Sequence, residues 1–383
     1  MKRKTLRCLT ALLTVFLLVS SLIFPGAAEE EKTQYPCKSL VLMEASTGKV
    51  LLSQNEDEAL PPASVTKVMT LLLVMEAIDS GRISLSEQVT VSANAASMGG
   101  SQVFLKEGET MTVEELLKSV VIASANDAAV ALAEYLAGSV PAFVEQMNKR
   151  AEILGMEHTH FENPTGLDDT AVDHKTSALD IAIMSRELIS HKKILDYSSI
   201  WMDSIRDGAF GLTNTNRLVR YYPGCTGLKT GSTAKAGFCV SATAEKNGME
   251  LICVVMGAES RDERNAIAKE VLDYGYANYG LYQKEAASLV PIPVTGGMED
   301  FCNLSHGDFS IVLPKGELSS VKETLELPDF LAAPIKSGDT VGRLRFSLDE
   351  NELGSIPVTA SQTVGKLTFF EIFKRLFARS LLI

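Results

Sequence analysis

Pro61-Pro62-Ala63-Ser64-Val65-Thr66-Lys67-Val68-Met69-Thr70 is the stretch on which the reading of this chain turns. The double proline closes a loop. Apolar residues then crowd the sequence, with Val65, Val68, Met69, Leu71 to Met75 and Ile78 ahead of Gly81. That density predicts a helix over 64–78 buried on nearly all sides. Ser64 and Lys67 are three apart and share a face of it. A serine hydroxyl becomes a nucleophile when a base takes its proton, and a desolvated lysine beside a second cation can be that base. A helix N-terminus adds N–H groups directed at a developing oxyanion. The Ser-x-x-Lys spacing recurs at Ser190…Lys193, Ser232…Lys235 and Ser319…Lys322, but only the Ser64 copy opens an apolar helix behind two prolines.

Outward from this helix, Leu40–Met43 and Val50–Leu52 flank Ser46-Thr47-Gly48 and read as a hairpin. Thr112-Val113-Glu114-Glu115 has capping-box spacing and predicts a helix to about Ile122. A break at Ser124-Ala125-Asn126 precedes a second helix over 127–137. Ser-x-Asn also occurs at Ser92-Ala93-Asn94. The bland reading of either copy is a capped loop. The copy between two helices is the better placed to aim polar side chains into a cleft. Strands dominate from Leu228 to Met256, and Lys246-Asn247-Gly248 signals a hairpin between two apolar runs. Lys229-Thr230-Gly231 occurs once, at the head of this region. Its lysine and threonine can hold a carboxylate, and its glycine allows close approach of a substrate backbone. The segment 264–279 predicts a closing helix.

Composition bounds the function. The 383 residues are 46% apolar and carry a net charge of −12. Residues 1–28 contribute +4 and residues 361–383 contribute +3, leaving −19 on the body. An acidic body argues against nucleic acid as a partner. Basic residues, an apolar stretch from Cys8 to Phe24 and Pro25-Gly26-Ala27-Ala28 form the pattern of a secretory signal peptide over 1–28, the alternative being an uncleaved anchor. Cleavage leaves Cys37, Cys225, Cys239, Cys253 and Cys302, an odd number with at least one free thiol. No Cys or His spacing indicates a metal or redox cofactor. After about Ser288, short alternating stretches punctuated by Pro and Gly suggest a small β-sandwich-like domain over 289–360. In 361–383, Phe369, Phe370, Phe373, Leu376, Phe377 and Leu381 recur at helical spacing with Lys374, Arg375 and Arg379 elsewhere on the wheel. That pattern fits a helix lying on an anionic membrane surface, the alternative being a helix packed on the β domain.

Ser-x-x-Lys, Ser-x-Asn and Lys-Thr-Gly, in this order on an exported chain, together resemble the low-molecular-weight penicillin-binding proteins that act as serine-type D-alanyl-D-alanine carboxypeptidases. The resemblance extends through PPASVTKVMT, SANDAAVALAEYLAG, FENPTGL, NTNRL, GLKTGSTAKAGFC and YGYANYG. It implies an α/β (α+β) catalytic domain of the serine β-lactamase and penicillin-binding-protein kind over 29–288, a helical region with an antiparallel sheet. A small all-β domain and a C-terminal amphipathic helix would follow.

By the same resemblance Ser64 is acylated, Lys67 is its base, and Ser124 relays a proton to the leaving D-alanine. Asn126 holds the substrate amide, Lys229 and Thr230 bind the terminal carboxylate, and backbone N–H groups of Ser64 and Ser232 form the oxyanion hole. Arg264 stands where the family often has a carboxylate-supporting arginine, though a surface helix charge is nearly as good a reading. Ala125 departs from the usual glycine, and Ser232 from the histidine of some relatives. The implied partners are peptidoglycan stem peptides ending in D-Ala-D-Ala, β-lactam antibiotics and the outer face of the cytoplasmic membrane, with no cofactor.

A β-lactamase of class A needs Glu-x-x-x-Asn, and Glu162 is followed by Gly166 at the asparagine position. An endopeptidase of the same fold usually lacks the second domain and tail. A zinc peptidase needs ligands beyond His158 and His160, and a non-catalytic wall-binding module has no use for an activated nucleophile.

Overall fold

The computed structural model describes residues 34–169 and 171–380. The signal-peptide reading of 1–28 lies outside these residues, as does Leu381. From Pro36 onward, the strands β1 (Ser39–Glu44) and β2 (Val50–Gln54) form the expected hairpin. They join β3 (Cys225–Thr233), β4 (Gly237–Lys246) and β5 (Met249–Ala258) in an antiparallel sheet of order β2-β1-β5-β4-β3. Asn247 and Gly248 both have positive φ, 54° and 76°, the conformation a two-residue hairpin turn requires.

β1 is buried at every position. Val41 and Met43 enter the helical core, whereas Leu42 faces Gly275 on the other side of the sheet. A Cβ on Gly275 would lie 2.8 Å from Leu42 and 2.7 Å from Leu251, so the glycine lets its helix settle onto the sheet. Burial on both faces explains why these strands read as continuous apolar runs rather than alternating ones.

Five of the helices build or support the site: α1 (Lys67–Asp79), α2 (Val113–Ala123), α3 (Asn126–Ala137), α4 (Ala178–Ser190) and α5 (Arg261–Asn278). The 3-10 turn Ala63–Thr66 leads into α1. Ser64 therefore sits in a tight turn one step before the α-helix, a correction to the single helix expected from position 64. The cause is local: Ala63 is held at φ 48°, between Pro62 and a turn whose N–H groups bond only three residues back. All but three residues of α1 are buried, and the helix packs against α2, α3 and α4. The capping box of Thr112 and Glu115 opens α2, with both reciprocal bonds formed. α2 ends at Ser124 in the left-handed region, φ 61°, and α3 begins two residues later.

Beyond α5, strand Tyr279–Lys284 pairs with Phe309–Pro314. A six-stranded sheet gathers residues 287–360 around Ile292, Cys302, Leu304, Leu344, Phe346 and Val358. Phe309 and Phe346 stack at 3.9 Å with their rings parallel. The final helix, α6 (Phe369–Ser380), leaves Phe369 84% and Phe370 73% exposed. Phe373, Leu376 and Phe377 are also exposed, so the helix does not bury its apolar face on the strands beside it. Arg375 ties the helix to Asp300 at 3.0 Å and to the carbonyl of Met298. The cysteines at 37, 225, 239, 253 and 302 are all free thiols, with those at 239, 253 and 302 buried.

Candidate active site

The residues expected at the site come together where the 63–66 turn, the start of α1, the α2–α3 break and β3 meet, with Arg264 reaching the same place from α5. Lys67 Nζ stands 2.9 Å from Ser64 Oγ and donates to the carbonyl of Thr165 at 2.8 Å. The lysine is fully buried. Burial first, and the charge of Lys229 second, hold its ammonium well below the ordinary lysine range. Neutral lysine has the lone pair that a base needs, so the environment supplies what the residue type alone does not.

The carbonyl that receives Lys67 is placed by the segment 163–166. Asn163 Oδ1 accepts from the N–H groups of Thr165 and Gly166 at 3.1 and 2.7 Å and from the Thr165 hydroxyl at 2.9 Å. Thr70 on α1 donates to the carbonyl of Pro164 at 2.7 Å. His174 accepts the N–H of Glu162 at Nδ1, 3.0 Å, which leaves its proton on Nε2, 2.7 Å from Thr66 Oγ1. Burial lowers this histidine to about 4, so the ring is neutral and donates to Thr66. Asn163, Thr165 and His174 were not identified from the sequence as site residues. The Asn-Pro-Thr-Gly turn signal was the one available pointer to the first two.

Ser124 and Asn126 point from the break between α2 and α3, both buried. Asn126 donates to the carbonyl of Gly99 at 2.7 Å, and its buried Oδ1 has no partner among the described residues. Asp127 accepts from the N–H groups of Val103 and Leu105 at 3.1 and 3.0 Å, pinning the 99–105 loop beside Asn126. The other Ser-x-Asn has the bland role: Ser92 caps a short helix, and Ser92 and Asn94 both bond Glu134.

On β3, Lys229 is buried, and burial together with Arg264 lowers it to about 7. Thr230 donates to Thr215 at 2.9 Å. Ser232 is exposed at the end of the strand. Arg264, only 3% exposed, bonds the carbonyl of Cys239, the residue paired with Gly231 across β3 and β4. A surface helix charge is thereby excluded for Arg264. Ser64, Ser124, Thr230, Gly231, Ser232 and Arg264 line one cavity of about 540 Å³. Glu162 spends its carboxylate on the N–H groups of Val172 and Asp173.

Comparison with known proteins places the chain in a family. The family model described as D-alanyl-D-alanine carboxypeptidase matches residues 26–260, and that of the penicillin-binding protein 5 C-terminal domain matches residues 278–366. The chain is 43% identical over 348 residues to the D-alanyl-D-alanine carboxypeptidase DacF of Bacillus subtilis, covering 89% of each. It resembles the crystal structure of penicillin-binding protein 5 from Haemophilus influenzae with a TM-score of 0.75 and 32% identity, covering 87% of this chain and 98% of that one. It also resembles penicillin-binding protein D2 from Listeria monocytogenes in its ampicillin-bound form, with a TM-score of 0.59 and 30% identity over 64% of this chain and 99% of that one. The helical region on an antiparallel sheet and the all-β part after it are thus like those of penicillin-binding protein 5, and in this chain a terminal helix follows them. By its matched segments and its curated relatives, the chain belongs to the D-alanyl-D-alanine carboxypeptidase family of serine peptidases.

Proposed function

We propose that this protein hydrolyses the terminal D-alanine from peptidoglycan stem peptides ending in D-Ala-D-Ala. The observation that carries this reading is the buried Lys67 Nζ held 2.9 Å from Ser64 Oγ. Neutral Lys67 takes the hydroxyl proton as Ser64 attacks the carbonyl between the two D-alanines. N–H groups of Ser64 and Ser232 bear the oxyanion. Ser124 passes a proton to the departing amine, Asn126 holds the substrate amide, and Lys229, Thr230 and Arg264 hold the terminal carboxylate. Water then cleaves the acyl-enzyme, with Lys67 again the base. β-Lactams enter the same site and acylate Ser64, in line with the ampicillin-bound relative.

The enzyme works outside the cytoplasm, delivered by residues 1–28. Its catalytic domain spans 29–288 and a small β domain spans 289–360. The helix within 361–383 lies on the outer face of the cytoplasmic membrane, supported by the exposed apolar side chains of α6 and the cations beside them. The deciding experiment measures D-alanine release from an N-acylated Lys-D-Ala-D-Ala peptide. Steady release by the intact protein, abolished in Ser64→Ala, is the expected result; release that survives the substitution refutes the assignment.

A further inference from the structure

The cavity beside Ser64 holds more positive charge than one terminal carboxylate can use. Besides Arg264, it is lined by Arg217 and Arg261, and no Asp or Glu is among the described residues lining it. Among the described residues, none of these guanidinium groups is ion-paired with a carboxylate. Arg264 gives its N–H groups to Asn265 Oδ1 and the Cys239 carbonyl. Burial first, then the charge of Arg261 and with it that of Arg217, lowers Arg264 to about 10, so the cations are near enough to oppose one another. Such crowding is unfavourable until an anion enters.

Apolar surface lies against these cations. Trp201 and Tyr221 line the same cavity and meet edge to face at 6.3 Å, with Arg220 stacked over both rings. The indole N–H of Trp201 is buried and has no acceptor among the described residues. A volume of about 540 Å³ falls in the range of sites that enclose ligands much larger than an alanine.

The connectivity places this wall relative to the reaction. Arg217 follows Thr215, which is bonded to Thr230, and Arg264 is fixed to the strand that pairs with Gly231. Both therefore flank the part of β3 that holds the carboxylate of the departing residue, in the reading of Ser64 on which this inference rests.

We propose that the leaving-group side of the cleft accepts a D-amino acid larger than alanine that carries a second carboxylate, read by Arg217 and Arg261, with its aliphatic part against Trp201 and Tyr221. The chemistry is unchanged. The peptide C–N bond breaks as the Ser64 Oγ–C bond forms, and the serine proton ends on the leaving amine. Water then splits the ester, giving a carboxyl group and restoring the serine hydroxyl.

The test compares three N-acyl-Lys-D-Ala-X peptides on the full chain at low ionic strength, with X being D-alanine, D-glutamate or D-lysine. The expected kcat/KM for D-glutamate exceeds that for D-lysine at least tenfold, and the ratio falls below threefold in Arg217→Gln/Arg261→Gln. Arg82→Gln, which removes an exposed charge outside the cavity, keeps the ratio. Equal rates for D-glutamate and D-lysine, or a ratio that survives the double substitution, overturn the proposal while D-alanine release stands. Failure to cleave any of the three overturns the reading of Ser64 and this proposal with it. The comparison on the unaltered protein needs no variant to fold.

Discussion

Gly231 lies against the backbone of Ser64: a Cβ at position 231 would stand 2.7 Å from the Ser64 nitrogen, 2.8 Å from the Pro62 oxygen and 2.9 Å from the Val65 nitrogen. The glycine of Lys-Thr-Gly thus sets the gap between β3 and the turn that carries the nucleophile. All three neighbours are backbone atoms, so a methyl group there must push the turn rather than a flexible side chain.

Gly231→Ala is therefore expected to slow acylation of Ser64 by ~100-fold, the order of loss that accompanies a misplacement of about 1 Å at a reacting centre. Labelling by a fluorescent penicillin as a function of time measures this directly. A labelling rate within threefold of the unaltered protein would show that the turn yields without consequence.

Lys229 contributes a pH-dependent instability. Its folded value of about 7 is below the free-lysine value of 10.5, so between these pH values the unfolded chain binds more protons and stability rises with pH. Below about pH 7 the full cost of the buried ammonium is present. Lys229→Met should abolish D-alanine release yet raise Tm at pH 6, with the gain shrinking towards pH 10. A gain independent of pH would contradict this origin.

His174 acts in the opposite range. It is neutral in the fold, with a value lowered from 6.5 to about 4 by burial. Unfolded protein binds the extra proton between pH 6.5 and 4, so stability is lost as pH falls through that window, by about 3 kcal/mol at most. Denaturant titrations at pH 7 and pH 4.5 should show His174→Asn less stable at the higher pH and nearer the unaltered protein at the lower. Loss of the bond to Thr66 should also lower kcat, because Thr66 lies between Ser64 and Lys67 in the turn.

Lys67→Ala should leave the chain folded and reduce acylation at least ~100-fold, the contribution expected of a positioned base. With Lys67 present, the acylation rate should rise with pH through a value well below that of free lysine, since deprotonation creates the base. A profile that rises only near 10.5 would show that burial does not activate this residue.

The terminal helix offers a test independent of catalysis. The full chain should float with vesicles containing anionic lipid, and Phe373→Ser/Phe377→Ser should not, while D-alanine release from a soluble peptide is retained. Equal flotation of both would locate membrane binding elsewhere.

What the sequence determined by itself is whatever depends on neighbours a few residues apart. Thr112 and Glu115 announce their helix because the capping bonds span three residues. Asn247-Gly248 announces a hairpin because both residues tolerate positive φ. The Phe spacing of α6 marks a one-sided helix whatever lies beside it. Ser64, Lys67, Ser124 and Lys229 were legible because a chemically unusual set of side chains recurs at fixed local spacings. The 3-10 turn at 63–66, by contrast, went unread, because helical periodicity cannot distinguish it from the helix it joins.

Only the tertiary structure decided how these pieces act on one another. Lys67 is held neutral by its desolvation and by Lys229 on a distant strand, and is oriented by the Thr165 carbonyl, none of which its own neighbours encode. Thr66 meets His174, and Gly231 meets Ser64, across separations of 108 and 167 residues. The gathering of Arg217, Arg261 and Arg264 around one cavity likewise has no trace in local pattern. Desolvation and charge proximity depend on distances through space, and packing around the buried α1 helix and the central sheet is what sets those distances.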